Sequence, residues 1–241
     1  LDESIPNGLE ETVQYYFLCG AKYYIPKDRP MLSGSLLAYG NVNEALLTHG
    51  REATEAVGAI PLIASIQATD PFIYSQELLD TVISMGFTGI QNMPSVGIIQ
   101  GKVRQHLEQS GMGFEAEVEF ISQAKVRGLF TIGYVFTEEQ AALMAYAQPD
   151  LIVLHLGITA SEAKKNPPAR YFRDHKDHLI ELTSAIQSID SSIPILLHGG
   201  PLADVDDVVV LFRNATCLSG YTTTGEFASQ KELLEKLIQI F

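Results

Sequence analysis

The sequence has little positive charge and few cysteines. Its 241 residues contain 16 Lys and Arg against 29 Asp and Glu, so the formal net charge is −13. A surface of that sign repels phosphate backbones, and we therefore expect no nucleic-acid partner. The two cysteines, Cys19 and Cys217, lie in apolar surroundings without metal-ligand spacing. Two such cysteines are typical of reduced core thiols in a cytoplasmic protein. The alternative is a disulfide between them.

Long apolar runs are missing as well. No stretch approaches the ~18 consecutive apolar residues of a membrane span, so no membrane partner is expected. The first residues, LDESIPNGLEE, are acidic and polar, so we expect no secretory signal at this end. With 46% apolar and 19% charged residues, the chain has enough apolar material for a full core. We expect a single domain over residues 1–241, because α/β barrels of about this length form one unit. A longer protein can contain this domain.

The sequence does contain a regular alternation of short apolar runs with segments of helical spacing. Most runs are continuous, as strands buried on both faces should be. Helices are predicted at 43–57, 75–86, 115–128, 138–147, 178–189, 204–214 and 229–241. Strands are predicted at KYYI (22–25), IPLIASIQ (60–67), FTGIQN (87–92), LFTIGYV (129–135), DLIVLHL (150–156), IPILLH (193–198) and TCLSGY (216–221). This order indicates a parallel sheet with right-handed crossovers.

A doubly wound open sheet and a closed (β/α)₈ barrel both fit that order. No predicted strand is followed at once by G-x-G-x-x-G with an acidic residue further on, so the Rossmann fingerprint is absent. We therefore predict a TIM (β/α)₈-type parallel barrel. Only seven strands are found, and LEETVQYYFLCG reads as a helix that ends at Gly20. The first strand is accordingly expected at or before residue 1, or within the first few residues.

Polar residues follow nearly every predicted strand. In a parallel barrel the carboxyl ends of the strands meet at one rim, where the chemistry of such enzymes takes place. His155 and His198 end the runs IVLH and ILLH; with a pKa near the physiological range they would move protons or polarise a carbonyl, and each alone also reads as a structural residue. No H-x-H or H-E-x-x-H spacing accompanies them, which disfavours zinc. The predicted rim contains Gln67, Thr69, Asp70, Asn92, Ser95, Tyr134, His155, Thr159, His198, Gly199, Gly200 and residues 221–224.

The segments HGGPLADVDD and GYTTTGEF follow the last two predicted strands, where barrels commonly bind phosphate through loop amides. Gly199 and Gly200 would let the backbone approach an anion, and Thr222, Thr223 and Thr224 would add hydroxyl donors. The alternative is that Gly-Gly-Pro is a turn and the threonines begin a helix.

A long connection separates Asn92 from the helix predicted at 115–128. Its segment KVRQHLEQS can form a short helix between Gly101 and Gly111, which makes the connection a lid that offers Lys102 and Arg104 to an anionic substrate. The alternative is a contact in a homo-oligomer. The connection is expected to need a partner surface, because an isolated loop would expose Val96, Ile98, Ile99, Met112 and Phe114.

The chain resembles the TIM-barrel family labelled phosphoenolpyruvate hydrolase-like, a domain also found in plant tobamovirus-resistance proteins. The segments that carry the resemblance are SGSLLAYGNVN, ATDPF, GIQNMPSVGIIQGKVRQHLEQSGMGFEAEVEFI, YVFTEEQA, HLGIT and HGGP, in that order. The resemblance implies the barrel and a first strand at or before residue 1. It also implies chemistry on phosphoenolpyruvate or a related keto acid. Asn41 and Gln100 stand where the family usually has Asp, and TTTGEF replaces its Ser-Ser-Met-Glu-Arg.

These observations lead to two hypotheses. The first is an enzyme of lyase or hydrolase type that acts on a small phosphoenolpyruvate-like or keto-acid carboxylate, with Asp70, Glu117, His155 and His198 as catalytic residues and Mg²⁺ held by Asp70 and Glu117. Its substrate would be bound by Asn92, Ser95, Thr159, Gly199, Gly200, Thr222 and Thr223. The second is a non-catalytic module for ligand sensing or oligomerisation, which the two amides in place of family carboxylates favour.

Overall fold

The computed structural model describes residues 15–25, 40–156, 168–199 and 217–222, with side chains between 168 and 199 described from residue 177 onward. Seven strands form one parallel sheet in chain order. They are β1 (Tyr16–Cys19), β2 (Leu62–Ser65), β3 (Gly89–Gln91), β4 (Phe130–Val135), β5 (Leu151–His155), β6 (Ile195–His198) and β7 (Gly220–Tyr221). Six of them lie within the runs predicted from the sequence, so the continuous apolar pattern located them correctly.

The described helices lie between successive strands of this sheet. They are α1 (Val42–Val57), α2 (Ser75–Ser84), α3 (Gly101–Gln109), α4 (Phe114–Val126), α5 (Glu138–Tyr146) and α6 (Pro168–Ile189). Thr137 accepts a hydrogen bond from the N–H of Gln140 at the start of α5, while the Gln140 side chain accepts one from the N–H of Phe136. The helices predicted at 204–214 and 229–241 lie outside the described residues.

The sheet is a curled half-barrel with an apolar cluster on each face. The inner face buries Ile63, Ile132, Tyr134, Leu151 and Val153. The outer face packs against the helices and contributes most of the core. Burial on both faces explains why the strands read as unbroken apolar runs. The position expected for a further strand, at or before residue 1, lies outside the described residues, and within them the sheet has seven strands.

The first strand of the sheet corrects one prediction. KYYI is not a strand; its first residues belong to a single 3₁₀ turn at Gly20–Tyr23, and the strand is the preceding Tyr16–Cys19, inside the segment predicted as a helix. Both runs are apolar, and pairing of Tyr16–Cys19 with Leu62–Ser65 decides between them. Gly20 lies against α1, where a Cβ would come within 2.0 Å of the Val42 carbonyl oxygen. A residue with a side chain therefore does not fit at this position unless α1 shifts.

The helix predicted within KVRQHLEQS is present as α3, and no residue of it is buried. Glycines with positive φ stand at both ends, Gly101 at 68° and Gly111 at 74°, a backbone that glycine adopts without strain. Two apolar side chains expected to need a partner, Val96 and Phe114, are 5% and 0% exposed within the chain itself. That expectation was therefore wrong for these two residues. Among the described helices, none is long and apolar enough to cross a membrane.

Candidate functional site

The two histidines predicted at the rim lie side by side at the carboxyl end of the sheet. His155 and His198 are register partners on β5 and β6, and their ring centroids are 5.0 Å apart. The ring of Tyr134 from β4 packs against both, at 5.8 Å from His198 and 6.3 Å from His155. Phe136 covers His155 from the other side at 5.0 Å. Adjacent parallel strands thus bring the histidines together although 42 positions of sequence separate them.

Burial makes both imidazoles neutral at physiological pH. Loss of water lowers the pKa of His155 to about 3, and repulsion from His198 adds to that effect. Burial likewise lowers the pKa of His198 to about 4. The prediction of a pKa near the physiological range therefore needs correction, since it did not include the cost of charging a ring inside the sheet.

The hydrogen bond of His198 fixes its tautomer. Its Nδ1 lies 3.0 Å from the carbonyl oxygen of Thr222, and a carbonyl only accepts, so Nδ1 carries the hydrogen. The Nε2 atom then presents a lone pair. In this state His198 can accept a hydrogen bond from a ligand or a water molecule, and it does so without a change of charge over the physiological range.

Thr222 organises this cluster. Its side chain hydrogen-bonds with the hydroxyls of Tyr15 and Tyr134, and its N–H donates to the Leu197 carbonyl at 2.8 Å. The Thr222 amide is thus engaged in the sheet and is not a free anion donor. Of the other residues predicted to bind the anionic group of a ligand, Gly199 has φ 74°. Gly200, Thr223 and Thr224, with Thr159 of the predicted rim, lie outside the described residues.

Glu117, on α4, binds the loop that follows β3. The side chain is 0% exposed and accepts hydrogen bonds from Asn92 Nδ2 (2.6 Å), Ser95 Oγ (2.7 Å) and the N–H of Val96 (2.7 Å). Asn92 in turn bonds both main-chain groups of Tyr134, accepting from its N–H at 2.6 Å and donating to its carbonyl at 3.2 Å. A chain of contacts therefore runs from Glu117 through Asn92 to the tyrosine that packs on the histidines.

The ionisation of Glu117 is strongly affected by its position. Burial raises its pKa to about 7, against the opposing effects of Asn92, Ser95, Val96 and Arg104. The three donors occupy both carboxylate oxygens, which leaves poor access for a cation. Glu117 therefore does not fit a magnesium ligand, and its contacts are those of a residue that positions the loop.

Asp70 takes part in a second clamp, between α1 and the end of β2. Asn43 donates to the Gln67 carbonyl at 2.9 Å and accepts from the Gln67 N–H at 3.0 Å. The same Asn43 amide donates to Asp70 Oδ2 at 3.1 Å, and Asp70 Oδ1 accepts from the N–H of Phe72 at 2.9 Å. Asp70 thus holds the loop that follows β2. Within the described ranges, no group of three or more His, Cys, Asp or Glu side chains is arranged to hold a metal ion.

Asn41 and Gln100, the two amides where the resemblance implied carboxylates, are both helix N-caps. Asn41 caps α1 by accepting from the N–H groups of Asn43 and Glu44 at 3.0 Å each. Gln100 precedes α3 and makes no side-chain capping bond. Aspartate and asparagine cap helices about equally well. Asn41 therefore has a structural role at this position, which an aspartate would fill about equally well.

Sequence reasoning missed three residues at this rim that the structure makes prominent. Asn43 lies in the first turn of α1, where the sequence pattern gave no reason to connect it with β2. Ser65 and Gln91 end β2 and β3, and Gln91 Nε2 donates to Ser65 Oγ at 2.7 Å. Both are polar residues inside apolar predicted strands, which was a usable signal for them.

The fold and the polar rim define a barrel-type α/β protein of the kind that supports enzyme sites at the carboxyl ends of its strands. Among solved structures, the chain is similar to the FabK (M276A) mutant from Thermotoga maritima, with a TM-score of 0.50, 12% identity, and coverage of 88% of this chain and 62% of that one. At that identity the likeness concerns the fold alone.

The sequence profile described as Phosphoenolpyruvate hydrolase-like matches residues 21–235, and the chain belongs to that family. Two relatives from Solanum lycopersicum, ToMV susceptible protein tm-1(GCR26) and ToMV resistance protein Tm-1(GCR237), are each 33% identical over 193 residues. The match covers 80% of this chain and 26% of each relative, so the chain spans about a quarter of their length. The resemblance drawn from the sequence motifs is confirmed.

Proposed function

We propose that the rim around His155 and His198 binds a small carboxylate of the phosphoenolpyruvate or keto-acid class and that the protein is a hydrolase or lyase. The observation that carries the proposal is the pair of buried, neutral imidazoles 5.0 Å apart, held by Tyr134 and Thr222. Buried polar groups that converge at the carboxyl ends of parallel strands are the usual form of an enzyme site. The family description supports this substrate class. The free thiols of Cys19 and Cys217 fit a cytoplasmic enzyme.

The proposed role of His198 follows from its tautomer. Hydrolysis of an enol phosphate breaks its phosphorus–oxygen bond, transfers the oxygen of water to phosphorus, and leaves the enol of the keto acid, which takes a proton at carbon. With Nδ1–H bonded to Thr222, the Nε2 lone pair of His198 accepts a hydrogen bond from the attacking water and orients it. A group with a pKa of about 4 is a weak base, so positioning is its main contribution.

The proposal is tested with phosphoenolpyruvate and pyruvate as probes. We expect calorimetry to show binding and phosphate release to show turnover of phosphoenolpyruvate. His198→Asn keeps a nitrogen donor for the Thr222 carbonyl and removes the Nε2 acceptor, so kcat should fall by about 10²-fold or more. His178→Asn is the matched control because that side chain is 39% exposed on α6. Absence of both binding and turnover would reject the proposal, and so would equal kcat in the two variants.

A second candidate is a non-catalytic module that associates through α3. The observation in its favour is that α3 has no buried residue and exposes Val103 at 60%, although the helix is firmly attached. Arg104 pairs with Glu108 and reaches the Gly97 carbonyl at 3.4 Å, and Glu108 accepts from the N–H of Phe114. A rigid helix without buried side chains presents a ready surface to a second copy of the chain.

Sedimentation measures this association directly. For the second candidate we expect a dimer or larger species, and Val103→Glu should dissociate it while the unfolding midpoint stays unchanged, because Val103 contributes little to the core. Gln105→Glu, on the same exposed helix and with the same change of charge, is the control for charge alone. A monomeric wild-type protein at micromolar concentrations would exclude α3 as a self-association surface.

A further inference from the structure

Two buried carbonyl oxygens at the rim have no hydrogen-bond partner. Within the described residues, Gln67 Oε1 and Gln91 Oε1 are buried and accept no bond, and both side chains are only 2% exposed. A buried acceptor left unpaired costs free energy, so a native structure keeps one where a water molecule or a ligand pairs with it. Two such atoms at the ends of neighbouring strands call for a common explanation.

Strand geometry places the two glutamines on the inner face. Ile63 belongs to the inner apolar cluster, and side chains alternate along a strand, so Ser65 points to the same side. Gln91 is the register partner of Ser65 and donates to its hydroxyl, which places it on that side too. The bond from the Ile66 N–H to the Gln91 carbonyl continues the ladder, so the alternation carries Gln67 inward as well.

The surroundings fix the main chain of Gln67 and the side chain of Gln91. Asn43 bonds both main-chain groups of Gln67, and the Gln91 amide is fixed by Ser65. The acceptors are therefore preorganised, and Nε2 of His198 on the same rim is an acceptor as well. A purely anionic ligand would leave these three acceptors without a donor. A ligand that carries hydrogen-bond donors would pair with these acceptor atoms.

We infer that Gln67 and Gln91 form a specificity subsite for a hydroxyl group at the end of the substrate away from its anionic group. The inference rests on the proposed function for the existence of the keto-acid site, and it narrows the substrate class to hydroxylated carboxylates. The hydroxyl donates to one glutamine oxygen, and the second oxygen is paired by a further donor of the same ligand or by a water molecule that the ligand holds. No residue of the subsite takes part in a covalent step.

The binding test compares pyruvate with hydroxypyruvate, which differ only by the terminal hydroxyl. We expect calorimetry to show that the wild-type protein binds hydroxypyruvate at least about tenfold more tightly, since a site built for a hydroxyl discriminates against the analogue that lacks it. Gln67→Met, which keeps the side-chain length and removes the acceptor, should reduce that preference to near unity. Gln123→Met is the matched control: its Oε1 is also buried and unpaired within the described residues, but it lies on α4.

A second measurement decides the subsite even if neither keto acid binds. In the ligand-free protein, removing an unpaired acceptor should stabilise the fold, so Gln67→Met is expected to raise Tm by about 2 to 4 °C. The double variant Ser65→Ala/Gln91→Met removes the unpaired Gln91 oxygen together with both partners of the Gln91–Ser65 hydrogen bond. It should raise Tm in the same way. Failure of both keto acids to bind would count against the proposed substrate class, and the Tm values would then decide the subsite. Equal affinities for the two probes, or a fall in Tm for both glutamine variants, would overturn the subsite.

Discussion

Replacing Glu117 by Ala is expected to lower the free energy of unfolding by about 3 to 5 kcal/mol, because it leaves buried hydrogen-bond donors without an acceptor. The side-chain amide of Asn92, the hydroxyl of Ser95 and the N–H of Val96 all lose their acceptor at once, in a place that water does not reach. The same change should disturb the ring of Tyr134, whose main chain Asn92 holds. Chemical denaturation measures the first effect, and the chemical shifts of the two histidines report the second.

Glu115→Ala is the matched control for this experiment. Glu115 lies on the same helix, two residues earlier, with its side chain exposed. Its loss should cost only a few tenths of a kcal/mol, through the weaker interaction of a charge with the first turn of α4. Similar losses for the two variants would show that the three hydrogen bonds of Glu117 do not matter to the fold.

The second large effect concerns stability in acid. The wild-type protein is expected to lose stability as the pH falls, and His198→Asn is expected to lose less. The folded-state pKa of His198 is lowered to about 4 from the ordinary value of 6.5, so the unfolded chain binds a proton that the folded protein excludes. Its contribution is fully present above pH 6.5 and is lost as the pH falls from there toward 4. Asparagine cannot take up that proton, so the variant's stability should fall less steeply, by about 1.4 kcal/mol per pH unit. Denaturation series between pH 7 and 4 give both slopes.

Glu117 acts in the opposite direction over part of that range. Its pKa is raised to about 7 from 4.5, so its contribution is present below pH 4.5 and is lost as the pH rises through 7. The absolute pH profile of the wild-type protein therefore mixes both groups with His155, whose pKa burial lowers to about 3, and comparison of wild type with His198→Asn removes the contributions that the two proteins share. His178→Asn shows what an imidazole that is 39% exposed contributes. A difference slope of zero between wild type and His198→Asn would mean that His198 is not buried in its neutral form.

The sequence alone determined the parallel α/β architecture, the place of six strands and the existence of five predicted helices together with α3. The reason is local: strands covered on both faces must be apolar throughout, and helices beside them must be apolar on one face. It also placed His155 and His198 at strand ends, since the polar residue that closes an apolar run marks the point where the strand leaves the core. The first strand was misplaced because two apolar runs, YYFLC and KYYI, are adjacent and their period does not distinguish them.

Only the tertiary structure decided what the polar residues do. Register between β5 and β6 brings the two histidines into contact, and burial then shifts their pKa values far from the physiological range, which no local pattern encodes. Glu117 and Asp70 were predicted as catalytic acids, yet their roles depend on donors from distant elements: Asn92 after β3 binds Glu117, and Asn43 on α1 binds Asp70. Hydrogen-bond partners are chosen by proximity in space, and the identity of a residue fixes only what it can donate or accept. The unpaired glutamine oxygens appear for the same reason only once the strands are side by side.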